Sequence, residues 1–87
     1  MKAIVTVIGK DKTGIIAAVS GELNKLGANV EDISQTILQD YFVMIMLIEC
    51  KTVDFENVAS SLKELGGKVG VDIRAQHEDL FNAMHRI

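Results

Sequence analysis

A strand that runs through a short polar loop into a helix constrains this chain more than any other feature. The apolar, β-branched run from Ala3 to Ile8 is typical of a buried strand, and it stops at Gly9. A helical pattern begins at Gly14, and the four polar residues 10–13 lie between the two. Because the first N–H groups of a helix have no partner within it, such a junction suits a carboxylate or another small anion. This loop is where we expect a ligand to bind.

The helix after the loop is predicted to run from about Gly14 to Leu26, with Asp11 or Thr13 as its N-terminal cap. Its apolar residues recur at helical spacing on one side. They are Ile15, Ile16, Val19, Leu23 and Leu26. Gly27 suits the left-handed conformation that ends many helices.

Two further strands follow, joined by a predicted tight turn at Gln39-Asp40. The first spans about residues 29–38 and needs a β-bulge near Glu31-Asp32, because its apolar residues change phase there. The next strand is apolar at every position from Tyr41 to Ile48, so both of its faces should be buried. The helices of one domain can cover one face, and the other face needs cover from outside. This pattern predicts an oligomer.

The second half of the chain repeats the order helix, then strand. Asp54 is predicted to cap a helix whose apolar stripe continues past two adjacent glycines. The helix should therefore reach Val69 and end at Gly70, with a stop at Gly66 as the alternative, since glycine is unfavourable inside helices. Residues 71–76 alternate between apolar and polar, which predicts a strand with one solvent-exposed face.

The predicted order is βαββαβ followed by a short amphipathic helix over residues 78–87. Two βα units with a hairpin between them make an α+β, ferredoxin-like sandwich. In this fold, a four-stranded antiparallel sheet carries two helices on one face. We expect a single domain over residues 1–87, with its core in residues 1–77. The apolar residues of the last helix should pack on the domain or on a partner subunit. They are Leu80, Phe81, Met84 and Ile87.

Composition narrows the classes of partner. The chain has 87 residues, a formal net charge of −3 and one cysteine, so an internal disulfide is impossible. The negative charge disfavours nucleic acid as a partner, and the first strand lacks the aromatic residues that RNA-binding sheets of this fold use for base stacking. The longest apolar run is far shorter than the roughly 18 residues of a membrane helix. We expect a cytoplasmic protein without a membrane partner.

No catalytic arrangement is visible in the sequence. A Ser/His/Asp set, a phosphate-binding glycine motif and a dinucleotide fingerprint are all absent. His77 and His85 lack the spacing of metal ligands, and Cys50 has no second cysteine. We therefore predict that the protein is not an enzyme and has neither a metal site nor a cofactor.

The segment from Val7 to Ile15 resembles the opening of ACT domains. The signature of that family is an aspartate, two residues, a glycine and an aliphatic residue, here Asp11, Gly14 and Ile15. Residues 27–30 and 32–35 are also similar to the family pattern. The resemblance covers about residues 1–77, and the whole chain looks like a small stand-alone ACT protein.

The resemblance implies a regulatory module that binds an amino acid or a similar small ligand, usually where two domains pair. Asn29 resembles the polar residue that faces the ligand loop. The loop itself would be Gly9, Lys10, Asp11, Lys12, Thr13, Gly14 and Ile15.

The chemistry of these residues agrees with the resemblance. Gly14 would let the backbone approach a ligand closely, and Asp11 can accept a hydrogen bond from an α-ammonium group. Competing roles stay open, because Asp11 can instead cap its own helix and Asn29 can be a turn residue. Lys10 and Lys12 can attract a carboxylate or be ordinary solvated lysines.

Two functional hypotheses follow. The first is a non-catalytic regulatory module that binds a small ligand, an amino acid, at the interface of a homo-oligomer, most simply a homodimer. The alternative is a ligand-independent protein-interaction module that acts on a separate enzyme or regulator.

Overall fold

The structure is a computed structural model that describes residues 1–10 and 14–78. Its elements are β1 (Lys2–Lys10), α1 (Ile15–Lys25), β2 (Ala28–Leu38), β3 (Tyr41–Cys50), α2 (Phe55–Val69) and β4 (Asp72–His77). The strands form one four-stranded antiparallel sheet in the order β2-β3-β1-β4. The predicted ferredoxin-like sandwich is confirmed. Apart from Glu78, the helix predicted over residues 78–87 lies outside the described residues.

The core lies between the two helices and one face of the sheet. Every second residue of the central strand β1 points into it, and Ala3, Val5 and Val7 are fully buried. The neighbouring strand β3 contributes Met44 and Met46 at positions that pair with this set. From the helices come fully buried Val19, Leu23, Val58 and Leu62. The alternate residues of the strands and the helix residues at helical spacing therefore pack together in one core.

α1 differs from its prediction in two respects. It begins at Ile15 with Gly14 at the N-cap position, so neither Asp11 nor Thr13 occupies that position. Ile16, predicted on the buried side, is 40% exposed. Successive helix residues are turned by about 100°, so the buried series of Ile15 and every fourth residue after it leaves Ile16 on the flank. Gly27 has a φ of 76°, which confirms the predicted left-handed helix end.

The hairpin of β2 and β3 has the predicted irregularity. The pairing register shifts between Val30 and Asp32, which is the expected position of the bulge. The turn at Gln39-Asp40 is two residues long, and Gln39 adopts a φ of 57°. Leu38 and Tyr41 therefore form the pair that closes the hairpin.

α2 runs to Val69 and ends at Gly70, whose φ of 76° is left-handed, as predicted. The helix passes Gly66 because this glycine lies against the chain that enters β4. A Cβ atom at Gly66 would lie 2.7 Å from the carbonyl oxygen of Val71, whereas one at Gly67 would meet no described atom within 4 Å. Gly66 is thus required for packing, and Gly67 is not.

The face of the sheet opposite the helices is only partly buried. On β3 it carries Tyr41, Val43, Ile45 and Leu47, and on β1 it carries Lys2, Ile4, Thr6 and Ile8. Ile45 is 41% exposed, and no described element packs over it. The prediction that both faces of β3 are buried therefore holds within one chain only for the helix side.

An ion pair ties the beginning of the chain to the end of β3. The amino group of Met1 lies 2.9 Å from Oε2 of Glu49 and donates a hydrogen bond to the carbonyl oxygen of Cys50 at 3.0 Å. The N–H group of Cys50 donates back to the carbonyl oxygen of Met1 at 2.8 Å. The hydrogen bond from the amino group holds the pKa of the Glu49 carboxyl below its ordinary value near 4.5.

We expect Glu49→Gln to lower the stability of the fold at pH 7 and to have little effect in acid. Because the folded-state pKa is lowered, the stabilisation is present above the ordinary pKa and is lost as the pH falls through the lower, folded-state value. Urea denaturation of both proteins at pH 7 and at about pH 3 measures the difference. Glu64→Gln is the control, since its ion pair with Lys68 is highly exposed. A difference for Glu49→Gln that stays constant with pH would contradict this account.

Candidate functional site

The candidate ligand loop lies between the end of β1 and the beginning of α1. Lys10, the last residue of β1, is exposed. Gly14 is exposed with a φ of 88°, in the left-handed region that favours glycine. Asp11, Lys12 and Thr13 lie outside the described residues, so their roles as ligand contacts stay predictions.

The two helices begin differently. At α2, Oδ1 of Asp54 accepts a hydrogen bond from the backbone N–H of Asn57 at 2.8 Å. At α1, the N-cap residue is Gly14, which has no side chain for this role. Its carbonyl oxygen accepts from the N–H of Ala18 at 2.9 Å, so the first helical turn is intact. The first N–H groups of α1 therefore face the loop without a cap from the described residues, together with the positive end of the helix dipole.

Two of the predicted site residues have structural roles. A Cβ atom at Gly9 would lie 2.5 Å from Cγ1 of Val71, so Gly9 lets the end of β1 pack against the beginning of β4. Ile15 is only 4% exposed and belongs to the core. Both residues fix the shape of the loop from its ends, and neither side chain position is free for a ligand.

Asn29 lies at the other end of the sheet from the loop. It pairs with Glu49 on β3, which pairs with Lys2, whereas Gly9 lies at the end where β1 pairs with Phe42. Lys2, which lies level with Asn29, is seven residues from Gly9 along β1, and this corresponds to about 23 Å along a strand. The structure therefore brings Gly9, Lys10, Gly14 and Ile15 together and leaves Asn29 apart from them within one chain. The direction of the elements could have revealed this, because a strand that follows β1 and α1 starts at the end where β1 started.

Sequence reasoning missed a groove near the loop end of β2. The groove has a volume of about 420 Å³ and is lined by Gln35, Thr36, Ile37 and Phe42. Phe42 pairs with both Ile37 and Gly9, which places the groove at the end of the sheet where the loop begins. The signal in the sequence was the pair of adjacent apolar residues, Ile37 and Leu38, at the end of β2.

Cys50 and His77, the other residues considered in the sequence, lie in packed surroundings. Burial raises the pKa of the Cys50 thiol, which is 2% exposed. The ring of His77 lies 6.1 Å from that of Phe55. Within residues 1–10 and 14–78, no three His, Cys, Asp or Glu side chains come together in a metal-binding group. In the same residues no helix has both the length and the apolar character needed to cross a membrane.

Comparison with known proteins gives a consistent picture. A family model described as ACT domain matches residues 2–76. A UPF0237 protein of Clostridium acetobutylicum is 55% identical, with all of both chains covered. A UPF0237 protein of Methanopyrus kandleri is 46% identical over 99% of this chain and 98% of its own.

A solved structure agrees with the sequence comparisons. The chain matches an ACT domain protein from Streptococcus pneumoniae with a TM-score of 0.85 and 43% identity, over 98% of each chain. ACT domains are regulatory modules that often bind amino acids. Both the family match and the fold thus lead to one conclusion: the chain belongs to the ACT domain family.

Proposed function

We propose that this protein is a non-catalytic regulatory module that binds an amino acid between two copies of the chain. The observation that carries the proposal is the beginning of α1 at Gly14, which no side chain of the described residues caps. The first N–H groups of this helix and the helix dipole suit the α-carboxylate that every amino acid shares. Lys10, Asp11, Lys12 and Thr13 would provide the neighbouring charged and polar groups.

The free edge of β2 is the surface best suited to pair with a second copy. All residues of β2 except Ala28 are exposed, and among them are Ile33 and Ile37, which lie on the side of the sheet that faces the helices. β2 has β3 on one side and no described strand on the other. A long, exposed strand edge that carries apolar residues such as these can pair with another strand.

Hydrogen bonding along β2 selects a register for this pairing. Leu38 closes the two-residue hairpin with Tyr41, so the alternate residues Ile37, Gln35 and Ile33 direct their N–H and C=O groups away from β3. The N–H of Ile33 does point away from β3, because it donates a hydrogen bond to Oδ1 of the exposed neighbour Asp32 at 2.9 Å. Antiparallel pairing centred on Gln35 would set Ile33 opposite the partner's Ile37 and Leu38 opposite the partner's Asp32.

The same register would complete the ligand site. It would bring the partner's Asn29 to the end of the sheet that carries the loop, which Asn29 of the same chain does not reach. The groove lined by Ile37 and Phe42 would lie beside this junction and could hold the side chain of the ligand. Ligand held between two chains would stabilise the dimer, and this linkage is the regulatory step that we propose.

A thermal-shift and calorimetric screen of the twenty amino acids tests the proposal. We expect at least one amino acid to raise the unfolding temperature, since ligand at about 100 times its Kd stabilises a protein by about 2.7 kcal/mol. Gly14→Ala should reduce the affinity at least tenfold, because a left-handed backbone is unfavourable for alanine. Gly21→Ala is the control, as this exposed position inside α1 has room for a methyl group.

The outcomes of this screen are distinct. A response that Gly14→Ala removes and Gly21→Ala preserves supports the loop as the site. Absence of any response at millimolar concentrations from a folded dimer contradicts the proposal.

One observation favours the alternative of a ligand-independent interaction module. A groove of about 510 Å³ runs between α2 and β4, with Ala59, Ile73 and Ala75 in its lining. Its charged residues are Lys63 and the ion pair of Arg74 with Asp72, in which Nε lies 3.1 Å from Oδ2. A segment of a separate enzyme or regulator could bind there through apolar and acidic side chains. Crosslinking from position 63 to a co-purified partner, unaffected by amino acids, would favour this second function over the first.

A further inference from the structure

The outer edge of β4 is the second free edge of the sheet. β4 has β1 on one side and no described strand on the other. The groove of about 510 Å³ beside it is lined by five consecutive residues, 72–76, together with Ala59 and Lys63 of α2. Because alternate residues of a strand point to opposite faces, a groove lined by all five follows the edge of the strand and its backbone.

The hydrogen bonds of β1 show which backbone groups of β4 face outward. Met1 and Cys50 exchange two hydrogen bonds, of 2.8 and 3.0 Å, which fix the phase of the ladder between β1 and β3. The odd-numbered residues of β1 therefore bond to β3, and the even-numbered ones bond to β4. Their partners on β4 are Asp72, Arg74 and Gln76. Ile73 and Ala75 thus turn their backbone groups away from β1.

Three of these backbone groups are open to the groove. A Cβ atom at Gly66 would lie 3.5 Å from the backbone nitrogen of Ile73, so α2 lies against that N–H group. The carbonyl oxygen of Ile73 and both backbone groups of Ala75 have no hydrogen-bond partner among the described residues. They form the pattern of acceptor, donor and acceptor that an added strand can match.

The helix side of the groove selects the side chains of such a strand. Ala59 is small and half-buried, so it leaves room for an apolar side chain beside β4. Lys63 lies one helical turn further along α2 and is exposed. The ion pair of Asp72 with Arg74 balances the other charges of the groove. Lys63 has no acidic partner within ion-pair distance in the described part of the chain, so the groove favours an acidic side chain.

A second copy of β4 fits this edge poorly. Given which backbone groups face outward, only antiparallel pairings centred on Arg74 or Ala75 overlap over more than three residues of β4. The first sets the two Arg74 side chains opposite each other, and the second sets Asp72 opposite the partner's Glu78. Like charges directly opposite are destabilising. The charges therefore favour a different, acidic strand.

We propose that a separate protein binds this groove through an extended segment, which adds a fifth strand beside β4 and directs an acidic side chain to Lys63. Main-chain hydrogen bonds to Ile73 and Ala75 would give the affinity, and the alternate side chains would give the selectivity. The proposal rests on the alternative function of an interaction module and gives the chemistry of its partner. It needs no amino acid at the loop.

Amide hydrogen exchange of the full-length protein, followed by NMR, tests the free edge. After correction for intrinsic rates, we expect the amide of Ala75 to exchange at least tenfold faster than that of Arg74, which bonds to β1. Equal protection of the two amides would overturn the proposal, because the edge of β4 would then already be covered.

A synthetic peptide tests the added strand. The probe is a capped peptide of about eight residues, in which valine alternates with threonine and one central valine is replaced by glutamate. We expect it to slow exchange at Ala75 and to bind about fivefold more tightly than the same peptide with lysine in place of glutamate. Lys63→Glu should reverse this preference. Lys68→Glu is the matched control on the same helix, outside the groove, and should preserve it.

Three other results overturn the proposal. Unchanged exchange at Ala75 with millimolar peptide would show that the edge accepts no strand. Equal binding of the two peptides, or an unchanged preference in Lys63→Glu, would show that Lys63 does not select the partner. Protection of Ala75 that is lost on dilution of the protein alone would mean that a second copy occupies the edge. The amino-acid screen is a separate measurement, so this proposal and the ligand proposal can fail independently.

Discussion

Ile37→Lys is expected to weaken association of two chains by about 100-fold while leaving each chain folded. Ile37 is 64% exposed within one chain, so its loss costs the fold little. In the proposed dimer it would be buried against the partner's Ile33, and the substitution would occur twice. Full burial of an isoleucine stabilises by about 1.5–3 kcal/mol, and a total loss of about 3 kcal/mol corresponds to roughly 100-fold in Kd.

Leu38→Lys is the matched control for Ile37→Lys. Leu38 is the next residue of β2 and is 68% exposed, but its side chain lies on the opposite face of the sheet. In the proposed register, a lysine at this position would lie opposite the partner's Asp32, so association should be retained or slightly strengthened. Analytical ultracentrifugation over a range of concentrations measures both dissociation constants. Equal effects of the two substitutions, or a parent protein that is monomeric, would exclude pairing through β2.

Gly66→Ala is expected to destabilise the fold by about 2 kcal/mol. The added Cβ would lie 2.7 Å from the carbonyl oxygen of Val71, a backbone atom that cannot rotate away. Overpacking of this kind costs about 1–3 kcal/mol, and the better helix propensity of alanine offsets less than about 1 kcal/mol. For a domain of this size, the unfolding temperature should fall by about 10 °C.

The adjacent glycine provides the control for Gly66→Ala. Gly67 is exposed in the same helix, and a Cβ there would meet no described atom within 4 Å. Gly67→Ala should therefore stabilise the protein by about 0.5–1 kcal/mol. Thermal and urea denaturation of both variants test the pair. If both glycines can be replaced with the same stabilising effect, the close approach of α2 and β4 is incorrect.

Local pattern was enough to predict most of the fold. The bulge near Asp32 followed from a change of apolar phase, and the end of α2 at Gly70 followed from a stripe that continued past Gly66. Both are properties of neighbouring residues. The exposure of Ile33 and Ile37 could not be predicted in this way, because it depends on β2 being an edge strand with a neighbour on one side only.

In the candidate site, too, some features could be predicted from local sequence and others depend on the packed structure. The strand, loop and helix around Gly14 are consecutive in sequence, so their junction was predictable. The role of Gly9 was not, since only the packed structure shows that Val71 occupies the space a side chain would need. The separation of Asn29 from the loop is likewise a matter of strand direction, which no local motif contains.

Val71 packs against two glycines, Gly9 and Gly66, and this packing affects how the candidate loop can adjust to a ligand. The side chain of Val71 crowds Gly9 at the end of β1, and its carbonyl oxygen crowds Gly66 in the last part of α2. The end of β1 is thus packed tightly against Val71, which is itself packed against α2. On the helix side, a Cβ at Gly14 would meet no described atom within 4 Å. If the proposed ligand binds here, we therefore expect the backbone to adjust at Gly14, because the end of β1 and the buried Ile15 are held by packing.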